Sequence, residues 1–292
     1  MKVQGLAEIL CVAGAAALLA GCASRIRRVA MPAGPPRPAL RASEEQLAER
    51  YEKQATAVQS LNAVVKLKAE TGSAFSSVIR EYRQISAFLL AERPAYLRVV
   101  GQAPVVGTDI FDMASNGTTF HMYIPSKRKF VVGPAQGGPE AKKPIENLRP
   151  EPICEALLWK KIAPDEPVMI EQEDAQQPPA SYYVLSVLRR NGHGFALDRR
   201  IWFDRSNLRV SRVEIFGAEG RLESDIHYAD WLERSGTTAF PGQIVLWQPH
   251  DHYRLEIDIT RLSLNQKIPS GRFRLEQPAG TERVELGQGG GS

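Results

Sequence analysis

The chain has 292 residues, 43% of them hydrophobic and 24% charged, with a formal net charge of +4. This balance excludes an intrinsically disordered chain, and no interior run reaches the roughly 18 uncharged residues that a bilayer-spanning helix needs. Arg25, Arg27, Arg28, Arg37 and Arg41, with no acid among residues 22–43, account for the excess of positive charge; the long remainder is nearly neutral, which excludes the basic face that nucleic-acid binding requires.

Met1-Lys2 is a charged start, and Ile9 to Ala20 is a mainly apolar stretch too short to span a membrane. Together they read as a secretory signal. The stretch closes on Leu19-Ala20-Gly21-Cys22, which resembles the lipobox of bacterial lipoproteins. That resemblance implies that residues 1–21 are removed and that Cys22 carries acyl chains, palmitate among them, which anchor the protein in a membrane. An ordinary secretory signal with an Ala-rich cleavage site is the alternative reading. With Cys11 removed and Cys22 lipidated, Cys154 is alone, so no intramolecular disulfide is expected. Residues 22–43 form a basic tether with four prolines between residues 30 and 40. Proline makes it a semi-rigid spacer, and its arginines are drawn to anionic lipid head groups.

Ser43 and Gln46 fit a capping box for a first helix, and Leu47, Tyr51, Ala55, Val58 and Leu61 recur on one face of it. From Asn62 the period changes to two: Ala63, Val65 and Leu67 alternate with polar positions. Further strands are expected at Glu81 to Ala91, Tyr96 to Gly101, Thr108 to Ala114, Thr119 to Ile124 and Lys129 to Val132. Asn116-Gly117 predicts a hairpin, because both residues tolerate positive φ. Gly133 to Pro152 reads as a loop leading to a second helix over Ile153 to Ile162. Strands resume at Tyr182 to Arg189, Leu197 to Phe203, Arg209 to Phe216, Leu222 to Trp231, Gln243 to Gln248 and His252 to Leu264. Residues 44–286 are thus read as one domain and 287–292 as a flexible tail. The expected fold class is mainly β (α+β), a strongly curved antiparallel sheet of about 11 strands with helices on its concave side. A closed up-and-down barrel is the competing topology.

No catalytic constellation is present: the chain lacks a Gly-x-Ser-x-Gly elbow, a phosphate-cradling glycine loop and a His-Glu-x-x-His pair. No catalytic residue, metal site or cofactor is therefore expected. His250 and His252 would share one side of a strand but have no third ligand in the pattern, so they read as surface residues. Cys154 reads as a small packing residue. The pairs Arg189-Arg190 and Arg199-Arg200, flanking a turn at Asn191-Gly192, read as solvated strand ends.

Two stretches carry a further resemblance. Phe88-Leu-Leu-Ala-Glu-Arg-Pro-Ala-Tyr-Leu-Arg98 is a strand, Arg-Pro turn and strand. Asp112-Met-Ala-Ser-Asn-Gly-Thr-Thr-Phe-His-Met-Tyr-Ile-Pro125 is a hairpin ending in Tyr-x-Pro. Both resemble the lipoprotein-handling LolA/LolB superfamily, in which an incomplete antiparallel half-barrel has helices in its mouth. The resemblance covers about residues 43–286. It implies a membrane-anchored envelope protein that shelters lipid or lipoprotein acyl chains, without enzymatic chemistry, with a periplasmic carrier protein as a partner. Ala23 after Cys22 implies the outer membrane, facing the periplasm. Leu67, Leu97, Val99, Phe111, Met113, Phe120 and Met122 are then candidates for a cavity lining, or simply for core. Val105 and Val106, after Pro104 in the loop joining the third and fourth predicted strands, are candidates for membrane contact, or for a turn tucked inward. The alternative function is a structural or sensory envelope lipoprotein whose curved sheet binds a protein partner.

Overall fold

A computed structural model describes residues 39–73, 78–104, 107–136, 148–176, 179–233 and 238–286. The lipobox Leu19-Ala20-Gly21-Cys22, most of the tether, Val105, Val106 and the tail 287–292 lie outside these described residues.

The first helix, α1 (Glu44–Ala57), starts where its cap predicts. Gln46 N donates to Ser43 Oγ at 3.3 Å, and Ser43 N donates to Gln46 Oε1 at 3.0 Å. Leu47, Tyr51 and Ala55 are buried along one side. Its end is earlier than the spacing through Val58 and Leu61 predicts. Val58 is already extended, and Leu61 belongs to a strand. The strand alternation Leu61, Ala63, Val65 competes for the same residues and wins, because it buries all three against the sheet's interior. Arg93, in the predicted Arg-Pro turn, holds the helix end: Nε donates to Val58 O at 3.0 Å, and one terminal nitrogen donates to Ala55 O at 2.7 Å and Trp159 O at 2.8 Å. A cation on the last carbonyls of a helix is favoured by the helix dipole.

The strands are β1 (Ser60–Ser73), β2 (Val78–Glu81), β3 (Ile85–Glu92), β4 (Tyr96–Gln102), β5 (Asp109–Ser115), β6 (Thr119–Ile124) and β7 (Lys129–Pro134). After the second helix come β8 (Val168–Gln176), β9 (Pro179–Asn191), β10 (Gly194–Asp204), β11 (Arg209–Phe216), β12 (Leu222–Ala229), β13 (Gln243–Gln248), β14 (Tyr253–Leu264) and β15 (Glu282–Glu285). They form one curved, unclosed sheet in the order β15-β7-β6-β5-β4-β3-β1-β14-β13-β12-β11-β10-β9-β8, with β2 paired to β1 off this path. Every pairing is antiparallel except β15 with β7. The mainly β, open architecture agrees with the expectation, but there are 15 strands among the described residues rather than about 11. The predicted strand Glu81 to Ala91 divides into β2 and β3, while β8 and β15 carry too few alternating apolar residues to be recognised. The competing closed barrel does not form among the described residues, where β15 and β8 are the two ends of the path.

One face of the sheet is apolar. The register aligns Met122, Met113, Val99, Leu89 and Ala63 in one row from β6 to β1. It aligns Leu185, Ile201, Val213, Ile226 and Leu246 in another from β9 to β13. Both rows join one buried cluster with the inner sides of the helices. The second helix, α2, spans Pro150–Leu157 instead of Ile153 to Ile162. Pro150 and Pro152 fit its first turn, where a missing N–H costs nothing, and Leu158 leaves the helical conformation. Trp159, just beyond, stacks on Tyr51 at 5.4 Å and packs on Tyr228 at 5.2 Å, tying α1 to the second half of the sheet. No helix among the described residues is long and apolar enough to cross a membrane.

Candidate functional site: an apolar cavity at one end of the sheet

Antiparallel pairing brings the C-terminal ends of β1, β4 and β6 to the same end of the sheet as the starts of β3, β5 and β14. A cavity of about 600 Å³ opens there. That volume falls within the ~300–1,000 Å³ typical of ligand sites. Each strand contributes its last or first inward residues: Leu67 and Ala69 from β1, Ile85 from β3, Ile110 and Phe111 from β5, Tyr253 and Leu255 from β14. Ala103 and Pro104 after β4, Leu148 before α2, and Tyr82, Arg83 and Lys127 complete the wall. The described lining holds no carboxylate.

A glycine shapes one wall. Gly101 pairs with Phe111 across β4 and β5, and a Cβ added at Gly101 would lie 2.9 Å from two carbons of the Phe111 ring. The ring therefore occupies the space of the missing side chain, and any larger residue would push it away. Tyr253 is 3% exposed, lines the cavity, and makes no hydrogen bond through its hydroxyl among the described residues. Burial alone pushes its phenol well above the usual range.

Of the seven predicted lining residues, Leu67 and Phe111 stand in this wall. Leu97, Val99, Met113, Phe120 and Met122 are buried in the cluster beneath the helices, deeper along the strands, and are not part of it. Ile85, Leu255 and Tyr253 were missed as lining, although their alternation marks them as inward-facing. Val105 and Val106 lie outside the described residues, but Ala103 and Pro104, on the N-terminal side of that turn, are wall residues.

A second, polar cavity of about 270 Å³ is lined by Tyr51, Glu155, Lys160, Arg189, Asp198, Arg199, Glu223 and Tyr228, among others. It corrects the reading of Arg189 and Arg199 as solvated strand ends. Arg199 is 2% exposed and pairs with Asp198 and with Glu166 (3.2 Å), while Arg189 reaches Asp198 at 3.2 Å and Phe216 O at 3.0 Å. Lys160 bonds Asp198 at 3.0 Å. The bulge between Leu197 and Arg199 turns Asp198 and Arg199 into the interior, where the charges must be paired to be tolerated. These cations hold the Asp198 carboxyl below its usual range against the opposing effect of burial. On α2, burial and the nearby Glu223 push Glu151 up to about 7, and burial with Glu151 and Glu223 pushes Glu155 up to about 8. Burial pushes the Cys154 thiol up to about 12, so it remains protonated and packs as a small apolar residue. His250 and His252 are exposed, and His250 Nδ1 lies 3.3 Å from Asp251.

No protein-family model and no curated protein matches the sequence. The solved structures do. A LolA superfamily protein of Nitrosomonas europaea superposes with a TM-score of 0.50 at 14% identity, over 80% of this chain and 99% of that one. A DUF1329 family protein of Desulfovibrio piger gives 0.50 at 14% identity, over 79% and 95%. An outer membrane lipoprotein-sorting protein domain of Vibrio parahaemolyticus gives 0.47 at 12% identity, over 79% and 97%. The chain has a LolA-like fold.

Proposed function

We propose that this protein is an envelope lipoprotein, anchored at the outer membrane through Cys22, that binds a lipid or lipoprotein acyl chain in the cavity at the end of its sheet, in lipoprotein sorting or outer-membrane biogenesis. The observation that carries the reading is the cavity itself: about 600 Å³ walled by Leu67, Ile85, Ile110, Phe111, Leu148 and Leu255. Apolar surface left unfilled in a folded interior is a place for an apolar guest, and each buried methylene contributes about 0.8 kcal/mol. Val105 and Val106, which follow the wall residue Pro104 in the sequence, are the proposed membrane contact. The LolA-like fold supports this reading, because the superfamily resemblance in the Phe88–Arg98 and Asp112–Pro125 stretches implies the same use of the concave side. No covalent chemistry is required.

The test is mass spectrometry of the gently purified full chain. Acyl lipid or acylated peptide bound non-covalently, beyond the covalent diacylglyceryl on Cys22, is the expected result. A single stoichiometric protein partner with no lipid would favour the structural or sensory role instead.

A further inference from the structure

The cavity of about 600 Å³ is not uniformly apolar: Arg83 and Tyr253 are among its lining residues. Tyr253 is the first residue of β14 and pairs with Thr71 near the end of β1. Tyr82 N donates to Ala69 O at 2.9 Å on the other side of β1, which sets Arg83 beside this same strand end. Leu255 is level with Ala69, and Ile85 is level with Leu67. The phenol of Tyr253 and the guanidinium of Arg83 therefore both line the cavity beside the apolar residues Leu67, Ile85 and Leu255.

Both polar groups are uncommitted. Arg83 is exposed and forms no ion pair among the described residues. The Tyr253 hydroxyl lines the cavity and makes no hydrogen bond among them, so it is free to donate to a guest. The described lining residues include no carboxylate to pair with Arg83. Nearby acids are already engaged: Glu70 and Glu81 bind Lys68 at 3.0 and 3.2 Å, and Asp109 accepts from Gln102 at 2.9 Å.

We propose that the ligand is an anionic acyl amphiphile: its chain lies against Leu67, Ile85 and Leu255, the Tyr253 hydroxyl donates to its carbonyl or carboxylate oxygen, and Arg83 pairs with its negatively charged head. The shared chemistry is an oxyanion at the end of an acyl chain, whether the phosphate of a phospholipid or the carboxylate of a fatty acid. This rests on the acyl-binding reading above and narrows it, because the acylated N-terminus of a lipoprotein presents ester and amide groups without that charge.

Calorimetric titration of the full chain, freed of bound lipid, with water-soluble dihexanoyl-phosphatidylglycerol, dihexanoyl-phosphatidylcholine and decanoate tests it. An anionic probe should bind about tenfold more tightly than phosphatidylcholine, the factor expected of one charge-assisted pair. Preference for phosphatidylglycerol alone identifies a phosphate head, and preference for decanoate alone identifies a carboxylate. Arg83→Gln should erase the preference, because the anionic probes lose more affinity than phosphatidylcholine, whose choline already offsets the charge of its phosphate. Tyr253→Phe, which removes no internal hydrogen bond, should weaken all three probes by a further factor of about five. Equal affinity of the wild-type protein for the three probes, or a preference that survives Arg83→Gln, would overturn the anionic assignment while leaving acyl binding intact. Failure of every probe to bind, phosphatidylcholine included, would overturn both.

Discussion

The Phe111 ring lies over Gly101, close enough that a Cβ at Gly101 would come within 2.9 Å of three ring carbons. Phe111 is also a cavity wall residue, so the missing side chain at position 101 sets the position of that wall. Gly101→Ala should push the ring towards the cavity, lowering stability by about 1–3 kcal/mol through overpacking. It should also weaken acyl binding. Phe111→Leu in the same background should restore much of the stability. Urea denaturation of the single and double variants, paired with titration of a fatty acid, measures both effects.

Arg93 joins three carbonyls from two separate segments, those of Ala55 and Val58 at the end of α1 and that of Trp159 after α2. Its removal leaves these carbonyls without their partner and frees the end of α1 from the sheet. Arg93→Met keeps the apolar stem and should cost about 2–3 kcal/mol, given that bonds to a charged group are stronger than neutral ones. Lysine cannot reproduce the forked geometry and should recover less than half of the loss. Chemical denaturation provides the measurement.

Glu151 and Glu155 make stability depend on pH in a particular direction. In the folded protein they keep their protons up to about pH 7 and about pH 8, whereas the ordinary value is 4.5. Between those limits the folded state binds more protons than the unfolded one, so stability falls as pH rises, and the fall ends above about pH 8. Glu155→Gln should flatten this slope and raise the melting temperature at pH 8 by roughly 3–6 °C, with little change near pH 5. Melting curves at the two pH values decide it, and an unchanged slope would contradict the assignment.

The legible parts of the fold were those where one signal dominated. β6 and β13 alternate cleanly between turn residues, and both were read to the residue; Asn116 and Gly117 form the turn expected of them, with Gly117 at φ 88 and the Asn116 side chain accepting from Thr118 N. α1 was overextended because Val58 and Leu61 fit both a helical face and the start of β1. β8 was missed because Glu171, Gln172, Glu173 and Asp174 give an edge strand little apolar pattern. β15 was missed because it consists of four residues whose partner, β7, is distant in the chain. For the site, the period of two identified which side chains face inward. It carries no information about depth along the strand, and depth separates Met113 and Met122, in the buried cluster, from Leu67 and Phe111 at the open end. The buried charges of Asp198 and Arg199 were illegible for a related reason: a bulge shifts the alternation at that point.

The central claim is that the end of the sheet receives an acyl chain, and a crystal structure of the full chain soaked with a terminally brominated fatty acid tests it most directly. The anomalous bromine signal should lie inside the cavity, among Leu67, Phe111 and Leu255, with the carboxylate towards Tyr253 and Arg83. A bromine site on the outer face of the sheet, or no ordered bromine beside a cavity that stays empty, would contradict it.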